Sequence, residues 1–153
     1  MKIYLLIKKD KPFFNEIISH LRNNFKHVDV FSGNVTDKYP LKNNNISYDV
    51  IISYLSPWII KEKNLKKTNL YNINFHPGPP EYPGTGCYNF ALYENEKIYG
   101  VTAHLMNKLV DTGKIIRVNR FNIDKNDNVH SLMKKSYKEL FKLFKNIVNE
   151  IKK

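Results

Sequence analysis

The order of apolar runs in the first half of the chain narrows the choice of fold more than any other feature. Lys2 to Ile7, Val28 to Phe31, Tyr48 to Leu55 and Leu70 to Phe75 are short apolar segments bounded by charged or turn residues. Buried strands read this way. Between the first two, Phe13, Phe14, Ile17, Ile18 and Leu21 recur at helical spacing behind Pro12, a residue tolerated in a first helical turn. A second helix is expected from about Pro57 to Lys66. The polar stretch from Thr36 to Ser47, with Pro40 and Asn43-Asn44-Asn45, reads as a connecting loop. Strand, helix, strand, loop, strand, helix, strand is the order of a parallel α/β sheet with crossover helices.

The second half changes character. Pro77 to Gly86 is a loop rich in proline and glycine, followed by a short helix around Tyr88 to Tyr93. Tyr99 to Met106 and Lys114 to Ile123 read as two strands close in sequence. A last helix starts near Asp127 or Asn128. Val129, Leu132, Tyr137, Leu140, Phe144, Ile147 and Ile151 form one apolar stripe along it, with lysines opposite, and this stripe is expected to face the core. No repeat and no linker separates a second domain. The whole span 1–153 is therefore expected to be a single domain, a length that suits one hydrophobic core.

Charge and composition then bound the function. Hydrophobic residues make up 42% and charged residues 25%, which is globular rather than disordered. Cys87 is the single cysteine, so an internal disulfide and a cysteine-based metal site are both excluded, and a reducing cytoplasmic compartment is expected. The apolar run after Met1 is too short for an export signal, and nothing approaches the roughly 18 apolar residues of a membrane span. The net charge of +11 suits an anionic partner: nucleic acid, a nucleotide-linked substrate or a folate tail. However, Lys61, Lys63, Lys66 and Lys67 are dispersed at helical spacing, which fits a plain composition bias better than a nucleic-acid patch.

Three motifs carry chemistry. Asn74-Phe75-His76-Pro77-Gly78 ends a strand, and alternation puts Asn74 and His76 on one face of it. Pro77 cannot donate to the ladder, so the strand should stop there, at the end where open α/β sheets bind ligands. His104 is followed by Asp111-Thr112-Gly113, with Gly113 expected to permit an unusual backbone angle. Pro79-Pro80-Glu81-Tyr82-Pro83-Gly84-Thr85-Gly86 is a stiff loop that could wall a pocket. Singly these are weak. One Asp-Thr-Gly does not make an aspartic protease, which needs two carboxylates sharing a proton. Gly84-x-Gly86 lacks the dinucleotide fingerprint. Cys87 reads as a semi-buried hydrophobe, and His20, His27 and His130 belong to no motif.

Together and in this order they resemble the 10-formyltetrahydrofolate-dependent formyltransferase family. That family includes glycinamide ribonucleotide formyltransferase, methionyl-tRNA formyltransferase and the nucleotide-sugar N-formyltransferases. The likeness is densest from Asn72 to Ile116. It implies a single Rossmann-like domain, with a mostly parallel sheet, flanking helices and a C-terminal helix. It also implies a catalytic centre of Asn74, His76 and Asp111. Asn74 would bond the formyl oxygen, His76 would stabilise the oxyanion or shuttle a proton, and Asp111 would hold His76 and help deprotonate the amine. His104 and Gly113 would support the Asp111 loop. Leu55, Pro57, Trp58, Ile59 and Val110, with Asp111, would hold 10-formyltetrahydrofolate, and Pro77, Gly78, Glu81 and Tyr82 would form the substrate loop. No metal is implied, and the chemistry asks only for positioning, an oxyanion donor and a proton acceptor.

Departures from the family bear on the acceptor. Lys8-Lys9-Asp10-Lys11-Pro12 has no glycine where a ribosyl-phosphate cradle would lie. The chain is expected to lack the second domain of the tRNA enzymes, and the loop after His76 shows Glu81-Tyr82-Pro83-Gly84 in place of their Arg-Gly pattern. His76-Pro77-Gly78 matches the reading common in sugar enzymes. The leading expectation is a small anionic amine, an amino-sugar nucleotide. Alternatives are methionyl-tRNA, glycinamide ribonucleotide, hydrolysis of the formylfolate, or a non-catalytic basic nucleic-acid-binding domain. A homodimer could close an open cleft.

Overall fold

The computed structural model describes residues 1–40 and 47–152. The Asn43-Asn44-Asn45 run, expected as part of a loop, lies outside the described residues. Strand β1 (Lys2–Lys8) is central and leads through helix α1 (Phe14–Asn24) to its parallel neighbour β2 (His27–Gly33). The chain then crosses β1 to form β3 (Tyr48–Tyr54), and a one-turn α2 (Glu62–Leu65) leads to β4 (Thr68–His76). These four strands are parallel. Helix α3 (Cys87–Tyr93), β5 (Ile98–Leu105), β6 (Ile115–Asn122) and the long α4 (Val129–Ile151) follow, with β5 and β6 antiparallel. The sheet order is β2-β1-β3-β4-β5-β6, a doubly covered, mostly parallel sheet.

Burial on both faces explains why β1 is apolar without alternation: Ile3, Tyr4, Leu5, Leu6 and Ile7 are all fully buried. Ile3, Leu5 and Ile7 pack with α1 and α4, whereas Tyr4 and Leu6 pack on the opposite face with Tyr48, Ile51 and Leu65. Phe144 of α4 sits edge-on to Phe75 and Tyr54, with ring centroids 5.2 and 5.5 Å away. Each such fully buried side chain contributes about 1.5–3 kcal/mol. Asn128 caps α4 in a reciprocal box with Ser131. Among the described residues no helix is long and apolar enough to cross a membrane.

Three local expectations are corrected. The helix expected from Pro57 to Lys66 is only α2. The Ser56 hydroxyl accepts the Trp58 N–H at 3.1 Å, and the Trp58 indole donates to the Asp37 carbonyl at 3.0 Å, so this stretch is pinned as a wall. Pro12 precedes α1 rather than starting it, because Phe13 turns at φ 66 to cap the helix. The α4 stripe excludes Val129, which is exposed, and takes in Ser136, Leu143 and Val148.

Candidate active site

β4 delivers the site. Phe75 packs into the core under α4, so Asn74 and His76 turn to the other side of the strand. Antiparallel β5 sets His104 directly opposite Asn74, and the Asn74 amide nitrogen lies 3.0 Å from His104 Nε2. The loop after β5 returns Asp111 into the same space at φ 53, a left-handed angle that aspartate tolerates better than most residues. Gly113 does not take an unusual angle. It is required because a Cβ there would lie 1.6 Å from the Leu105 carbonyl oxygen.

Asp111 is the hub. Its Oδ1 accepts from the Asn74 amide at 3.0 Å and stands 3.1 Å from His104 Nε2. Its Oδ2 accepts the Gly84 backbone N–H at 2.9 Å and lies 3.4 Å from His76 Nδ1. Both imidazoles have a carbonyl at their other nitrogen: His104 Nδ1–H donates to Leu105 and His76 Nε2–H donates to Tyr82, each at 2.9 Å. Asn74, His76, Asp111 and His104 therefore form one contiguous, largely buried network.

Burial pushes the His76 pKa down more than the Asp111 charge raises it, so this ring is neutral at neutral pH. Burial also opposes a charged His104, but its hydrogen bonds to Asp111 and to the Leu105 carbonyl outweigh that and raise its pKa. For Asp111, burial would raise the pKa. The hydrogen bond from His104, the His76 ring and the Gly84 N–H together hold it below the ordinary carboxylate value. The result is an ionised carboxylate between a His76 ring kept neutral and a His104 ring whose protonated form is favoured.

A cleft of about 510 Å³ opens onto this network. Leu55, Pro57, Trp58, Ile59 and Val110 line this cleft, and so does Pro77. Leu55 leaves β3 at φ 49, an angle that costs a non-glycine residue about 1–2 kcal/mol, so the turn into this wall is strained. Glu81 and the Tyr82 side chain do not line the cleft. Glu81 pairs with Arg120, and Tyr82 meets the site through its carbonyl. Gly78 is buried beside His76 and Cys87, with its carbonyl held by Thr102 at 2.8 Å. Cys87 is fully buried rather than semi-buried.

Sequence reasoning missed Lys8, Lys11 and Tyr137 at the cleft, and the Gly84 N–H. Lys11 lies over the Tyr137 ring, its Nζ 5.6 Å from the centroid. The end of β1 and the glycine-free segment after it thus contribute Lys8 and Lys11 to the cleft lining.

Residues 32–147 match the family model described as formyl transferase. The bifunctional polymyxin resistance protein ArnA of Wigglesworthia glossinidia brevipalpis is 31% identical over 93% of this chain and 23% of its own length. An N-formyltransferase from Helicobacter canadensis, in complex with folinic acid and dTDP-3-aminofucose, superposes with a TM-score of 0.79. It is 20% identical, over 99% of this chain and 64% of that one. The formyltransferase PseJ from Anoxybacillus kamchatkensis, in complex with UDP-4,6-dideoxy-4-formamido-L-AltNAc and tetrahydrofolate, gives 0.73 at 23% identity, over 94% and 73% of the two chains. The chain spans between 23% and 41% of the lengths of the curated relatives it matches.

Proposed function

Because the chain belongs to the formyl transferase family, we propose that it moves a formyl group from 10-formyltetrahydrofolate to a primary amine, as a single catalytic domain over 1–153. The observation that carries this reading is the Asn74–His76–Asp111 network, supported by His104, at the floor of a cleft with an apolar wall. An apolar wall of Leu55, Pro57, Trp58 and Ile59 suits a flat pteridine. Few polar anchors beside a large apolar surface is the usual make-up of a small-molecule site.

In the reaction the amine nitrogen adds to the formyl carbon, and charge gathers on the formyl oxygen. The Asn74 amide, now on Asp111, is the donor positioned to take that oxygen, and one such donor is typically worth about 10²–10³ in rate. Asp111 is ionised and accepts the amine proton. His76 has Nε2–H committed to the Tyr82 carbonyl, which leaves Nδ1 as its working nitrogen, facing Asp111. The proton passes to the folate nitrogen as its bond to the formyl carbon breaks. An acid/base pair of this kind is worth about 10²–10⁴.

The acceptor is an amino sugar carried on a nucleotide. Lys8 and Lys11 give the cleft positive charge for the anionic part of such a molecule. The Helicobacter and Anoxybacillus enzymes are seen with nucleotide-linked sugars. The test is single-turnover transfer from 10-formyltetrahydrofolate to a panel of amines. Formylation of an amino-sugar nucleotide supports the reading; formylation of Met-tRNA with no sugar accepted overturns the choice of acceptor.

A further inference from the structure

Arg120 belongs to no motif and stands on the edge strand β6. Its cross-strand partner on β5 is Gly100, and a Cβ at Gly100 would lie 3.1 Å from the Arg120 Cδ. A glycine inside a strand is unfavourable unless something needs the room. Here the Asn119 carbonyl, 3.0 Å from such a Cβ, and the side chain of Arg120 share it. The guanidinium grips both carboxylate oxygens of Glu81, at 2.9 and 2.6 Å. A two-pronged pair of this sort fixes orientation as well as distance.

Glu81 lies in the loop that follows His76, and the next residue touches the catalytic network. The Tyr82 carbonyl accepts His76 Nε2–H at 2.9 Å, while its hydroxyl is tied to Glu94 and, at 3.3 Å, to Glu96. Two residues further on, the Gly84 N–H donates to Asp111. The loop is stiff enough to transmit a displacement. Pro79, Pro80 and Pro83 fix its φ angles, and Tyr82 N–H closes a turn onto the Pro79 carbonyl at 3.0 Å. Its start is also anchored, by the Ser136 hydroxyl on the Pro77 carbonyl at 2.5 Å and by Thr102 on that of Gly78. Among the described residues, side chains tie its middle through Glu81 to Arg120 and Tyr82 to the acidic pair after α3, and Tyr82 also packs against the Cys87, Ala91, Tyr99 and Leu132 cluster.

We propose that Arg120 is a positioning residue: through Glu81 it holds the Tyr82 carbonyl where that carbonyl keeps the His76 proton on Nε2 and leaves Nδ1 facing Asp111. A neutral imidazole carries its single proton on one nitrogen or the other, and the bond made by one nitrogen decides the role of the other. With the carbonyl displaced, His76 loses its reason to keep the proton on Nε2, and the Nδ1–H form, which donates to Asp111, competes. Arg120 is not among the residues that line the cleft, yet it selects which tautomer of His76 faces that cleft. The role of His76 in transfer rests on the function proposed above; the tautomer does not.

The test is carbon-13 NMR of ring-labelled histidine, since the five histidines give few signals and His76→Gln assigns the relevant one. The wild type is expected to show His76 as the Nε2–H tautomer near neutral pH. In Arg120→Ala and in Tyr82→Phe the His76 ring carbons should shift toward averaged tautomers. Arg120→Lys should be intermediate, and the charge-exchanged pair Glu81→Arg with Arg120→Glu should return toward wild type. Where transfer can be measured, Arg120→Ala should lower kcat about tenfold with the folate KM unchanged, the pattern of a lost orientation. An Nδ1–H tautomer in the wild type, or a His76 signal unmoved in both Arg120→Ala and Tyr82→Phe, overturns the proposal. A shifted tautomer in a protein that formylates no amine supports the lever and refutes the function.

Discussion

Replacing Gly113 with alanine puts a methyl carbon where the Leu105 carbonyl stands, 1.6 Å from its oxygen and 2.7 Å from its carbon. Neither partner can retreat cheaply. The Leu105 N–H is bonded to the Lys114 carbonyl at 2.8 Å, and the adjacent Met106 N–H to that of Asn72, also at 2.8 Å. Overpacking of this kind costs about 1–3 kcal/mol. The displaced carbonyl also gives up the His104 Nδ1–H, and a buried donor left without its partner costs about 1–3 kcal/mol. A net loss on the order of 3–4 kcal/mol is expected, or a fall in Tm of roughly 10 °C for a domain of this size. Because His104 in turn supports Asp111, formyl transfer should drop at least about tenfold. Urea unfolding followed through Trp58, the only tryptophan, measures the first effect. A Gly113→Ala protein within about 0.5 kcal/mol of wild type, and as active, would refute the reasoning.

Asp111→Asn keeps the shape but removes the charge between the two rings. Activity should fall by about 10²–10⁴, and the His104 pKa, held up in part by Asp111, should fall in a proton NMR titration. Stability should respond to pH in two directions. The raised His104 pKa contributes stability below about 6.5 that is lost as pH rises through its folded value. The lowered pKa of His76 removes stability as pH falls below about 6.5, and that of Asp111 removes more below about 3.9. Urea titrations at several pH values check both, and His104→Gln should abolish the alkaline loss and shrink the acid loss contributed by Asp111, whose pKa the His104 hydrogen bond helps to lower. Lys11→Glu should raise the KM for an anionic acceptor at least about tenfold while leaving folate binding unchanged, because Lys11 lines the cleft and its ammonium group lies over the Tyr137 ring. Steady-state kinetics with each substrate varied separately reads this directly.

Parts of this site are legible in the sequence because they depend on local period. A strand carries Asn74 and His76 to one face whatever surrounds it, and Pro77 ends that strand in any context. The fold class follows in the same way from the doubly buried β1 and the spacing of α1. The antiparallel turn of β5 against β4, which brings His104 onto Asn74, is a pairing between distant segments and leaves no mark in either one. The segment after Leu55 has helix-forming residues, yet its Ser56 and Trp58 side chains bind backbone groups and override that propensity. Gly113 is visible as a glycine, but the reason for it is an oxygen eight residues earlier, which only the folded chain supplies. Arg120 and Glu81 are likewise ordinary surface residues until a sheet edge and a loop are brought together. Lys8 and Lys11 were readable only as missing glycines.

The most direct test of formyl transfer at this site is calorimetric titration with a stable 10-formyltetrahydrofolate analogue, run on wild type and on Asn74→Ala, His76→Ala and Asp111→Ala. Saturable binding by the wild type is expected, with binding retained in the three variants while single-turnover transfer is lost. No binding at millimolar analogue, or full transfer by Asp111→Ala, would contradict it.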